Sequence, residues 1–369
     1  MAWGQSWGKK SWARRLGLLA VALGVIWALA GCNVKEIVID AVDLQKFDAS
    51  ETTQTKIPYS GQRIVIDNAI GVISVEGSQE PGFVAVRPFV TVEAVKKVRG
   101  GVELTTLNVR IEQNAKEIHI LSQASESLRR VLKGFPPKIE DRVGWIEYKV
   151  RVPQSAALTL RKEAGVIEIT RFKGDLIASV KAGGIFVHDS ELKQLELDSI
   201  AGDLQLKQSQ AQEVSMSNQL GDIRLEETQL TSARLASRAG SISIIQTQGK
   251  ELTAATQVSG GISVAQSQID ELRLTTQAGS IKLVSTKTHD GQLSTQVGGI
   301  AIELPLGQSL RLAAQTQFGG IKLRGQDNRV QTRWSGFWPG KQLMLTVGEG
   351  EDQLTLSTQV GSIRISFVK

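Results

Sequence analysis

The chain has 369 residues, with 43 Lys and Arg, 37 Asp and Glu, three His and one Cys. That length admits two or three compact domains or one long repeat array, and a single cysteine excludes any intramolecular disulfide. The formal charge of +6 does not describe a nucleic-acid binder: without Lys9, Lys10, Arg14 and Arg15, which precede an apolar run, 39 basic groups face 37 acidic ones, and no basic stripe remains to track a phosphate backbone.

Residues 1–31 read as an export signal. A basic start is followed by "LGLLAVALGVIWALAG", the length of a signal-peptide core and short for a bilayer span. The run ends in Leu29-Ala30-Gly31-Cys32, which resembles the lipobox of bacterial lipoproteins. The resemblance implies that Cys32 becomes lipid-modified, with several acyl chains and therefore stable membrane attachment. The expectation is an exported bacterial lipoprotein. Asn33, where enterobacterial lipoproteins retained at the inner membrane carry Asp, points to the outer membrane or cell surface.

Residues 32–60 form an anchor-proximal segment, and 61–152 an irregular β part with insertions. Within it, "IVIDNAIGVISV" places Ile64 and Ile66 seven and five residues before Gly71, and Ile73 and Val75 two and four after. "FVAVRPFVTV", "LNVRIEQNAKEIHIL" and "WIEYKVRVP" are strand-like, the last ending at Pro153. Val95–Leu107 reads as a short helical excursion, weakened by Gly100-Gly101. Ser122–Arg142, with Pro136-Pro137, reads as an exposed loop.

From residue 153 the same line repeats. A Gly, any residue, an aliphatic, any residue and another aliphatic recur at Gly165, 183, 202, 221, 240, 260, 279, 298, 319 and 361, at intervals of 18 to 21 and a last one of 42. Gly340, with Leu343 and Leu345, reads as a degenerate eleventh copy. Such a period is a solenoid signature. After the Gly, Ile281 and Leu283 flank Lys282; before it, Leu272 and Leu274 flank Arg273. Period two on both sides means two strands per unit, one face in and one face out. A third, weaker strand completes the unit. The Gly marks a corner that needs φ > 0 or close backbone approach. The unit is too short for a βαβ motif. The fold class is therefore all-β: a single-chain parallel β-helix, or β-solenoid, of about 19–21 residues per rung over 153–369, expected to be right-handed.

Two polar ladders accompany the repeat. Three before the Gly the series is Ser199, Asn218, Ser237, Gln257, Thr276, Thr295, Thr316 and Thr358. Seven after it the series is Ser190, Ser209, Thr228, Thr247, Ser267 and Thr286. They read as corner ladders that satisfy backbone rather than as a ligand stripe. One stretch breaks the pattern, "RWSGFWPGK" at 333–341. Its Trp334, Phe337 and Trp338 are the candidate ligand-binding aromatics, as a platform for sugar faces; the competing and favoured reading is a plug over the end of the core.

The strand ending in Val-Pro, the short gap, Leu-x-Leu and Gly-x-Ile-x-Ile from Val150 to Ile169, followed by repeated Gly lines, resemble the bacterial putative-adhesin family of domains of unknown function. The resemblance covers about residues 60–369. It implies a parallel β-helix, export and no assigned catalytic residues.

Chemistry has little to stand on in the sequence. Asp203 and Asp222 occupy one position on consecutive rungs, with Asp198 nearby, but Asp at a turn bonds its own backbone. His119, His188 and His289 share no spacing, and no metal or nucleophile motif appears. No cofactor, metal or nucleic acid is expected. The expected function is a lipid-anchored envelope scaffold or adhesin whose partners are the membrane, through the anchor, and an envelope polysaccharide or surface protein. The alternative is a β-helix that binds or cleaves polysaccharide.

Overall fold

Each aliphatic pair becomes a strand with its aliphatics inward. The computed structural model describes residues 47–78, 88–123, 143–305, 308–325, 330–335 and 340–368. In the rung around Gly202, Glu191–Ala201 is a long strand that buries Leu192, Leu195 and Leu197. Leu204–Lys207 is a short strand that buries Leu204 and Leu206. Leu192 and Leu195 both face inward although three apart, because the long strand carries an irregularity between them. The third strand expected of each unit is thus the first part of the long one. Neighbouring rungs pair in parallel: Leu195 and Leu197 lie opposite Val214 and Met216, and Leu204 and Leu206 opposite Ile223 and Leu225.

Two corners close a rung. At the first, all eleven glycines from Gly71 to Gly361 have φ between +114° and +158°. A Cβ on Gly240 would lie 1.9 Å from the Gly221 carbonyl oxygen, so this corner needs both the conformation and the bare Cα. At the second corner Asp189, Gln208, Glu227, Gln246, Gln266 and Ser285 hold φ of 46° to 51°. The next residue there is a buried hydroxyl. Ser209 Oγ donates to the Lys207 carbonyl (2.7 Å) and accepts from the Ser190 N–H (3.1 Å). The other ladder is internal too: Thr276 and Thr295 donate to the Gly260 and Gly279 carbonyls at 3.1 and 3.2 Å. One member differs from expectation. Thr256 is buried in place of Gln257, because this rung has one more residue and takes it up after Thr256, where the register shifts.

The stack begins with seven strands: β1 (Ala49–Pro58), β2 (Arg63–Ser78), β3 (Phe89–Arg99), β4 (Asn108–Gln113), β5 (Glu117–Gln123), β6 (Val143–Pro153) and β7 (Leu158–Thr170). β2 and β7 are the first two rungs, each running through its glycine as one strand. They pair in the register that the sequence implies: Ile64 with Leu158, Gly71 with Gly165, Ile73 with Ile167. β5 and β6 also pair with β2 in parallel, on its first and second halves, and then hand over to antiparallel partners, β4 and β3; β1 pairs antiparallel to β3. No helical excursion spans Val95–Leu107. Val95–Arg99 belongs to β3, held between β1 and β6, and a single 3-10 turn, Leu104–Thr106, follows Gly100 and Gly101, both at positive φ.

The far end departs from sequence order. The expected stack placed a Gly340 rung between those of Gly319 and Gly361. Instead the Gly361 rung, Asp352–Val360 with Ile363–Val368, inserts between the Gly298 and Gly319 rungs. Lys341–Val347 runs antiparallel against Leu310–Phe318 and buries Leu343, Leu345 and Val347 over the last rung. Gly340 is not a corner. The count of eleven rungs survives because the Gly71 rung takes its place. Val330–Ser335 pairs antiparallel outside Lys341–Val347 as the outermost of the described strands.

Candidate functional site

Of the residues that the sequence singles out, Cys32, Phe337 and Trp338 lie outside the described residues. Trp334 does not plug the core. It sits on Val330–Ser335 opposite Leu343 and is 51% exposed, because Leu343, Leu345 and Val347 already cover the end of the stack. Asp203 and Asp222 do stack, and as turn residues: Asp203 Oδ1 accepts the Asp222 N–H at 2.9 Å, and Asp222 Oδ1 the Ser241 N–H at 3.0 Å. The histidines remain apart. His119 Nε2 lies 2.6 Å from Asp67, His289 Nδ1 3.2 Å from Asp352, and His188 ends the short strand Ile185–His188.

The structure brings forward a different residue. Along the first five rungs, the positions four, three and two before the corner glycine line an open groove of about 490 Å³. That volume is within the range of small-molecule sites, about 300–1,000 Å³. The outer row reads Asp67, Arg161, Ser179, Asp198, Ser217, each opposite the next. The middle row is the buried ladder position, occupied here by Asn68, Lys162, Val180 and Ser199. Where later rungs place a hydroxyl that closes on a glycine carbonyl, the second rung places a lysine.

Lys162 is only 4% exposed, and its Nζ has no hydrogen-bond partner. Its side chain lies across Gly165, whose added Cβ would meet Lys162 Cε at 2.9 Å. Burial pushes its ammonium down to about 7, opposed by the field of Glu147. Glu147 itself is engaged elsewhere, by Lys97 Nζ at 2.8 Å and Trp145 Nε1 at 3.2 Å. Beside the lysine, Asn68 donates to the Ile146 carbonyl (2.8 Å) and accepts from Ser122 Oγ (2.8 Å). Burial raises the Tyr148 phenol above its ordinary range. Four of the other five charges of the groove pair among themselves. Lys181 meets Glu163 at 3.0 Å, and Asp67 meets His119 and, at 3.8 Å, Arg161. An unpaired buried amine is costly to keep, so this one marks a place where a ligand group would be stabilised. A lysine among hydroxyls and Asn at the third position before a corner Gly was the sequence signal for it.

Comparison with known proteins places this geometry in context. The family profile described as Toastrack DUF4097 matches residues 101–366. No curated protein matches the chain. Among solved structures, a "putative adhesin" from Parabacteroides merdae aligns over 86% of this chain and 97% of its own, with 10% identity and a TM-score of 0.42. A "putative lipid binding protein" from Parabacteroides distasonis aligns over the same shares with 14% identity and a TM-score of 0.42. A "putative cell adhesion protein" from Clostridium sporogenes aligns over 86% of this chain and 100% of its own, with 10% identity and a TM-score of 0.19.

Proposed function

The chain belongs to the Toastrack DUF4097 family, and from that premise we propose that it is a non-catalytic scaffold of the bacterial envelope, anchored through Cys32 and acting as an adhesin or binding rod. Membership bears out the resemblance read from Val150–Ile169. The observation that carries the proposal is closure at both ends. A parallel stack with open ends adds further rungs; here antiparallel strands, β4 and β3 with β1 outside it at one end and Lys341–Val347 with Val330–Ser335 outside it at the other, end the parallel stacking. The result is a rod of fixed length that offers its sides. Eleven rungs at a spacing of ~4.8 Å give roughly 50 Å, a reach suited to holding a lateral surface away from a membrane.

Two measurements test this reading. Cells fed a clickable fatty-acid analogue should label the wild-type chain, and Cys32→Ser should carry no label and leave the membrane fraction. Label on the Cys32→Ser protein would contradict the anchor. Deleting the chain should reduce attachment of whole cells to a surface or to neighbouring cells, and the Cys32→Ser form should fail to restore it. Attachment unaffected by deletion would contradict the adhesin reading.

A further inference from the structure

The groove over Lys162 has a charge balance of its own. Arg161, Lys162 and Lys181 face Asp67, Glu163 and Asp198. Four of the six form the Glu163–Lys181 and Asp67–Arg161 pairs, each finding its opposite within the groove. Lys162 and Asp198 are left. Lys162 is buried with an unpartnered amine. Asp198 is exposed between Ser179 and Ser217 on the rungs to either side. The two stand two rungs apart, roughly 10 Å along the rod.

A ligand that completes this arrangement needs one acceptor of negative charge for the lysine and hydrogen-bond donors for the aspartate. It also needs groups that exchange bonds with hydroxyls. It must be long, because the groove spans five rungs, roughly 19 Å from the first to the last. It must carry little charge. A dianionic phosphate would meet three carboxylates in the groove, whereas a monoanion exchanges one charge with one lysine. A neutral polyol would leave the buried amine without its counter-charge.

We propose that this groove binds a linear carboxylated saccharide, with a uronate-type carboxylate at Lys162 and sugar hydroxyls donating to Asp198 and bonding Ser179, Ser217 and Gln219. This rests on the reading of the chain as a binding scaffold and names the chemistry of what it holds. The carboxylate would give the ammonium the partner it lacks, in a site dry enough for the pair to count. The Ser179 and Ser217 hydroxyls and Asp198 would fix register along the rungs.

The test is isothermal titration calorimetry at pH 6 on the full-length chain in detergent micelles. The probes are a glucuronic-acid-containing tetrasaccharide, the same oligosaccharide with its carboxyls reduced to alcohols, and inorganic phosphate. The expected result is binding of the acid form, at least about tenfold weaker binding of the reduced form, and no competition by millimolar phosphate. Lys162→Met, which matches the shape of the side chain without its amine, should weaken the acid form by about tenfold or more and leave the reduced form unchanged. Asp198→Asn, at an exposed position that folding does not depend on, should weaken both forms about threefold to tenfold. Equal binding of the acid and reduced forms, displacement by phosphate, or unchanged binding by Lys162→Met with wild-type circular dichroism would each overturn the proposal. So would absence of binding by all three probes. If cell attachment still depends on the anchored chain in that case, the scaffold reading stands and only the assignment of this groove fails.

Discussion

Lys162 links the site to stability with a definite sign. An unfolded lysine titrates near 10.5, and the buried one near 7. Between those values the unfolded chain holds more protons than the folded one, so stability rises with pH across that window. Below about pH 7 the cost of the buried charge is fully present, up to about 5 kcal/mol; above about pH 10.5 it is gone. Lys162→Met should therefore melt above the wild type at pH 6, with the gap closing steadily toward pH 10. A gap that stays constant from pH 6 to 10 would show that the amine is not desolvated. At this scale the sequence was half legible. The corner glycines and both hydroxyl ladders follow from spacing alone, because each answers a local backbone demand. Lys162 is not legible as a site residue, because a lysine three before Gly165 reads as a solvated charge and only the packing of the rung shows it buried.

Strands were the most legible level, since their in–out alternation is written residue by residue. Ile281 is fully buried between Ile262 and Ile300 on the adjoining rungs, while Lys282 points outward beside Glu303. Ile281→Asp should cost of the order of 4 kcal/mol or more, by burying an unpaired carboxylate. Lys282→Gln should stay within about 0.5 kcal/mol. Comparable losses in urea melts of the two variants would mean that the register is wrong. The end strands divide in the same way. Leu345 is buried over the last rung and Trp334 half exposed beside it. Leu345→Ala should cost about 2–5 kcal/mol and Trp334→Ala less than about 1 kcal/mol, read by thermal melting. The reverse ranking would restore the plug. What alternation did not reveal was the partner of each strand. Leu343 and Leu345 carry the same pattern whether their strand is a parallel rung or an antiparallel cap, and the inward faces of β3 and β6 are likewise silent about direction.

The order of the stack is the property of the whole molecule that sequence could least supply. Every rung offers its neighbours the same aliphatic faces and the same bare glycine corner, so any rung is a chemically acceptable partner for any other. Local pattern therefore marks the true corner glycines, adds Gly340 in error, and leaves the order of the rungs in space to the connections at the end. Those connections let the chain leave the Gly319 rung, turn back as Lys341–Val347, and return to fill the place between the Gly298 and Gly319 rungs. Asp352–Val360 and Ile363–Val368 are thus held inside the stack, and Lys341–Val347, with Val330–Ser335 outside it, covers its end. The fixed length of the rod depends on this closure. Cysteine pairs test it in a Cys32→Ser background. Ser294 lies opposite Ser357 in the observed order, at a parallel-strand spacing of ~4.8 Å, within disulfide reach. In a stack that followed the sequence, Ser294 would lie opposite Gln315. The account predicts that Ser294→Cys with Ser357→Cys forms a disulfide under mild oxidation, and that Ser294→Cys with Gln315→Cys does not, two rungs being roughly 10 Å. A disulfide in the second pair and none in the first would contradict it.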